Sequence, residues 1–202
     1  MLTETVKIEE IPGLNFTGRN KKKKQIILCH TSRNVKDFIN TLKYRHNGKF
    51  NRIPNYVIDR QGIVYETLPS VLYSGYFKDE TINKNSVIIC LENLGWLEKI
   101  PLSSEYVNWI GDIYKGDVIE KKWRDYFYWQ PYTEIQISSC IELCKNVLET
   151  FSINKQCIGH NTRVDTVHKF SGIVTKSNFS SEYTDLSPAF NFEYFQNKLE
   201  NE

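Results

Sequence analysis

No apolar stretch in this 202-residue chain approaches the roughly 20 residues needed to span a bilayer, which excludes a transmembrane helix. Charge of one sign is missing too. The 26 Lys and Arg face 24 Asp and Glu, so the net +2 provides no whole-molecule field of the kind a nucleic-acid binder relies on. The one basic run, Lys21 to Lys24, reads as a solvated approach to a strand. Cysteines are few and odd in number: Cys29, Cys90, Cys140, Cys144 and Cys157, with no CxxC pair or finger spacing. This excludes a disulfide framework and a structural zinc knuckle, and leaves most of them as small buried hydrophobes. The N-terminal MLTETVKIEE lacks the apolar core of a secretory signal, so synthesis in the cytoplasm as a soluble protein is expected. Repeats and low-complexity segments are absent, and 40% apolar residues suffice for one packed domain over 1–202.

What is present reads as an α/β fold, a central mixed sheet flanked by helices. QIILC, residues 25–29, and SVIICLENL, residues 86–94, are apolar without alternation, as in strands buried on both faces. Thr31 or Ser32 can cap a helix over about 34–46, where Val35, Phe38, Ile39 and Leu42 recur at helical spacing and Gly48 closes the end. NYVIDRQGIVYETL reads as a hairpin turning at Arg60-Gln61-Gly62. Thr133 and Gln136 form a capping box before a long helix to about Phe151. A short strand, QCIG, ends at His160; an irregular stretch, 161–184, reads as an inserted loop, and Pro188 opens a last helix. Residues 96–132 hold all four tryptophans and read as an insertion or lid on the sheet. Trp96, Trp109, Trp123 and Trp129 are expected to be mostly buried, because tryptophan supplies so much apolar area.

His30 and His160 each follow a predicted core strand directly, where an open α/β sheet presents its functional groups. Two neutral imidazoles plus one carboxylate make a three-ligand zinc site with a fourth position open to water, the catalytic arrangement. An Asp just before the terminal helix is available as the carboxylate.

ILCHTS, the NYVIDRQGIVYE hairpin, NSVIICLEN, the YTEIQ helix start, CIGHN and TDLSPAFNF occur in one order along the chain. That order resembles the type-2 N-acetylmuramoyl-L-alanine amidases, a family that includes phage lysozyme-like amidases and shares its fold with peptidoglycan recognition proteins. The resemblance covers about 25–95 and 131–195. It implies zinc held by His30, His160 and Asp185, with His168 and Asp165 as competing third ligands, and a peptidoglycan or muropeptide substrate. Without a signal, access to the wall would follow lysis or packaging in a particle.

The departures matter equally. The family's strand glutamate aligns with Cys90, and Glu92 lies two residues on, on the same strand face but displaced by about 6.6 Å. Asn55 stands where a hairpin histidine is common, Ser74 where a loop histidine is usual, and Tyr183 where a lysine often precedes the third ligand. Two readings stay open. In the first, zinc activates water against the amide joining N-acetylmuramic acid to L-alanine, Glu92 or Tyr183 carries the proton, and the chain is a phage-type endolysin. In the second, the same groove binds muropeptides without cleaving them.

Overall fold

The two apolar runs pair side by side in the middle of a sheet. The computed structural model describes residues 5–7 and 16–201, so the reading of MLTETVKIEE lies outside it except at 5–7. The elements in chain order are β1 (Thr5–Lys7), β2 (Phe16–Arg19), β3 (Gln25–His30), α1 (Val35–Tyr44), β4 (Tyr56–Ile58), β5 (Val64–Glu66), β6 (Leu72–Ser74) and α2 (Glu80–Asn85). They continue with β7 (Ser86–Leu91), β8 (Trp96–Lys99), β9 (Tyr106–Val107), β10 (Ile113–Tyr114), β11 (Ile119–Trp123), β12 (Tyr126–Trp129), α3 (Glu134–Phe151), β13 (Gly172–Thr175) and α4 (Phe192–Asn201). Among the described residues no helix is long and apolar enough to cross a membrane.

The main sheet has the order β1-β5-β4-β7-β3-β13. β4 and β5 are antiparallel and form the expected hairpin; the other neighbours are parallel. β3 and β7 run in register from Gln25 opposite Ser86 to His30 opposite Leu91, and every residue of both is buried. Their alternate side chains feed two cores. Ile26, Leu28, Ile89 and Leu91 pack with Ile137, Ile141 and Phe195 of α3 and α4. Ile27, Cys29, Ile88 and Cys90 pack with Phe38 and Leu42 of α1. This is the mixed sheet between helices that the apolar runs imply.

Local chemistry moves several boundaries. Asn34, not Thr31 or Ser32, caps α1 by accepting from the Asp37 N–H. Thr133 caps α3 as expected, but the Gln136 side chain donates to the carbonyls of Ile58 and Glu92 instead of closing the box. The last helix starts at Phe192, four residues beyond Pro188. Lys23 is buried, not solvated, and burial lowers its pKa to about 8. The 161–184 stretch is not simply a loop, since it contains β13, which pairs with the edge of β3; of QCIG only Cys157 forms a bridge, to Ile173. Residues 96–132 hold all five strands of a second, antiparallel sheet, in the order β10-β9-β8-β12-β11. One of its tryptophans, Trp129, is fully buried; Trp96 and Trp123 are half-buried and Trp109 is 43% exposed, so the expectation of mostly buried tryptophans is corrected.

Asn55 is a bracing residue. Its Nδ2 donates toward the carbonyls of Leu68, Pro69 and Leu72, and its Oδ1 accepts from the Ile88 N–H at 2.9 Å. Asn55→Ala would strand buried donors and acceptors on both β7 and the loop before β6, and is expected to cost about 3 kcal/mol. Urea denaturation checks this; an unshifted midpoint would mean that water replaces the amide.

Candidate active site

The C-terminal ends of β3 and β13 lie at one edge of the sheet because the strands are parallel neighbours. β3 ends in His30, and Lys176 directly follows β13. Asp185 comes from the loop before α4, which is pinned where the Ser177 N–H donates to the Asp185 carbonyl at 2.8 Å and the Ser177 hydroxyl to the Tyr183 carbonyl at 2.9 Å. The three side chains meet. His30 Nε2 donates to Asp185 Oδ1 at 2.7 Å, and Lys176 Nζ to Asp185 Oδ2 at 3.1 Å. Burial alone would raise the Asp185 pKa, but attraction to His30 and Lys176 outweighs it and holds the carboxyl well below the usual carboxylate range. Lys176 shows the converse: burial opposes its charge, yet Asp185 raises its pKa. Its ammonium also lies 4.4 Å from the centre of the Tyr183 ring.

The remaining sequence candidates fall elsewhere. His160 is exposed, and its Nδ1 is 2.6 Å from the Thr162 hydroxyl. Asn178 holds this turn by donating to the carbonyls of His160 and Thr162. His168 lies in a short 3-10 turn, and Asp165 pairs with Arg163 on the surface. Glu92 accepts from the Arg60 N–H at 3.4 Å; burial raises its pKa, and its electrostatic partners are Asp59 and Arg60, not the His30 group. Cys90 shares the Tyr76 hydroxyl with Cys29, at 3.2 and 3.3 Å, on the α1 side of the sheet.

A catalytic zinc needs three protein donors and an open position. Here His30 and Asp185 are bonded to each other, the second Asp185 oxygen is held by an ammonium, and among the described residues no three His, Cys, Asp or Glu side chains gather to hold a metal. The donor set in this arrangement does not fit zinc. Lys176 is not singled out by the sequence, because the four-residue strand before it, GIVT, becomes a strand only by pairing with β3.

An opening beside the triad is lined by His30, Ser32, Leu94, Trp96, Trp109 and Thr184. The Trp109 indole N–H donates to the Ser32 carbonyl at 2.6 Å, and Trp96 stacks on Tyr126 with centroids 4.6 Å apart. Gly95 closes on His30. Its φ is +81°, and an added Cβ would stand 3.1 Å from His30 Nε2, so both the turn and the close approach require glycine.

The profile of the N-acetylmuramoyl-L-alanine amidases matches residues 19–172. The chain belongs to this amidase family. The match includes His30 and His160, while Lys176 and Asp185 lie beyond it. No curated protein matches. Among solved structures, the endolysin amidase LysCS from Clostridium intestinale URNW is 13% identical, with 98% of this chain and 97% of that chain covered and a TM-score of 0.58. A mutant endolysin from Bacillus subtilis is 13% identical over 98% and 99% of the two chains, TM-score 0.55. AmiD from E. coli, solved with anhydro-N-acetylmuramic acid-L-Ala-D-gamma-Glu-L-Lys, is 14% identical over 90% of this chain and 59% of that chain, TM-score 0.53. At these identities the likeness establishes the amidase fold alone.

Asp185→Asn leaves a buried ammonium and imidazole without their anion and is expected to lower stability near pH 7 by about 3 kcal/mol. Because the folded carboxyl titrates below its unfolded value of about 3.9, its contribution is present above that pH and is lost as pH falls toward the folded value. Urea denaturation should therefore show a smaller gap between wild type and variant at pH 3 than at pH 7.

Proposed function

We propose that this amidase-family chain acts on peptidoglycan at the junction of N-acetylmuramic acid and L-alanine, with the wall-lysing role of an endolysin. The supporting observation is the Lys176 ammonium, fixed by Asp185 beside an opening walled by two tryptophans. Hydrolysis of an amide passes through an oxyanion, and a preorganised cation in a partly buried site stabilises that charge. Aromatic walls suit the apolar faces of a sugar ring. Tyr183 is the group we assign to proton donation toward the leaving nitrogen, since its ring lies against Lys176 and a phenol can donate. Glu92, turned toward Arg60, has no part in this reading. His30 and Asp185, bonded to each other, are not arranged as zinc donors.

Recognition without cleavage is the second reading, and one observation favours it. His30 has Nε2 on Asp185, and its Nδ1 is buried with no hydrogen-bond partner, so neither nitrogen is presented to a substrate as a base.

Purified cell walls separate the two. The first reading expects the wild type to bind walls and release new amino termini, Lys176→Met to lower release by about 100-fold while binding persists, and Trp109→Ala to weaken binding with little change in melting temperature. Retention on walls with no release by the wild type, with or without added zinc, would establish recognition alone. Absence of wall binding would refute both.

A further inference from the structure

The second sheet contains a break that the proposed chemistry does not use. β12 pairs with β8 at Trp129–Trp96 and Tyr128–Leu97, and past these Glu98 and Lys99 of β8 pair with β9 on the other side. Where the β8–β12 pairing stops, a hollow of about 390 Å³ opens, a size that suits a small ligand. Trp96, Tyr126, Phe127 and Tyr128 line it. Two of these rings are fixed against each other, since Trp96 lies at 14° to Tyr126 with centroids 4.6 Å apart. None of the four is fully buried, and Phe127 is 46% exposed. Polar groups stand at the same place. Glu98, Lys99 and Asp125 line the hollow and are exposed. Among the described residues, Glu98 and Asp125 have no ion-pair partner, and the Tyr126 and Tyr128 hydroxyls have no hydrogen-bond partner.

Flat aromatic faces beside unengaged acceptors suit a pyranose, which presents apolar C–H faces and a rim of hydroxyl donors. A cation fits less well, because the Lys122 ammonium already stands 5.6 Å from the Phe127 ring centre and Lys99 lines the same hollow. An anionic polymer would meet two carboxylates against one lining ammonium. Trp96 decides which glycan. It also lines the opening beside His30, so the hollow adjoins that opening through one indole. We propose that the hollow is a glycan-holding site, which binds a neutral ring further along the same strand whose N-acetylmuramic acid lies at the His30 opening. The proposal rests on the peptidoglycan substrate argued above and adds a second hold on the polymer, supplied by the 96–132 segment and not by the residues at the amide. Such a hold acts on long strands and leaves a single disaccharide unit untouched.

The test titrates the β-1,4-linked dimer and hexamer of N-acetylglucosamine, which carry no peptide and no lactyl amide, into the full chain. Wild type is expected to bind the hexamer about 10-fold more tightly than the dimer. Phe127→Ala, which truncates an exposed ring, should bring the two ligands to within about 2-fold. Glu98→Gln, which keeps the shape and removes the charge, should weaken the hexamer about 3-fold. Both variants should keep the wild-type melting temperature and the wild-type release of amino termini from a disaccharide peptide, while release from walls needs more substrate. Equal affinity of wild type for dimer and hexamer, or the same hexamer affinity in wild type and both variants, would overturn the site; walls still cleaved would leave the proposed substrate standing. Absence of wall binding by the wild type would overturn the substrate, and the hexamer titrations would then decide the glycan site by themselves. A lysine-rich peptide that binds wild type and is lost in both variants, with the hexamer unbound, would overturn the assignment by showing a cation site.

Discussion

A buried carboxylate held between an imidazole and an ammonium governs the centre of this molecule. Asp185 is 4% exposed, an environment that by itself favours the neutral acid. It stays ionised because His30 and Lys176 each take one of its oxygens. The three residues come from the end of β3, the residue after β13 and the loop before α4, so the pair of contacts forms only when β13 docks in register on β3 and Ser177 pins the loop. Stability and site geometry are therefore one problem here. A change in the register of β13 would remove the ammonium from the carboxylate and leave the His30 ring as its remaining side-chain partner.

The legible parts of the sequence were those with local signals. β3, β7, the β4–β5 hairpin and α3 announce themselves through apolar runs, a turn tripeptide and a Thr cap, all contained within a few residues. β13 does not. It is four residues long, sits between polar segments, and its partner β3 lies more than a hundred residues away, so only tertiary pairing makes it a strand. Missing β13 meant missing Lys176, and with it the cation that stands on Asp185. His30 and Asp185 were both singled out, and the structure brings them into contact; His160 was singled out by its Gly-His turn, which the structure leaves at the surface, held by Asn178. Asn55 shows how a departure from a family pattern can have a structural explanation: its amide serves four backbone groups.

The tryptophan-rich segment was read as a packed insertion, and its sheet does pack, through an exchange of amides. Asn93 Nδ2 donates to the Gln130 carbonyl at 3.1 Å, and Gln130 Oε1 accepts from the Leu94 N–H at 2.7 Å. Trp129 fills the interior of that sheet and donates to the Lys121 carbonyl. Trp96 and Trp109, by contrast, spend much of their surface on the opening at His30. Area alone does not decide where tryptophan goes. An indole whose N–H has a backbone partner at the rim can remain partly exposed at little polar cost.

Ser32 shows how closely the pieces are joined. It follows β3 with a φ of +58°, a conformation that a non-glycine residue adopts at a cost, and its carbonyl accepts the Trp109 indole N–H. The next residue, Arg33, faces the same indole and reaches Thr41 on α1. One turn thus links the strand that carries His30, the second sheet and the first helix. The opening walled by Trp96 and Trp109 and a cleft on the α1 side lined by Arg33, Arg45 and Lys176 share Ser32, so their spacing is set by this turn of backbone.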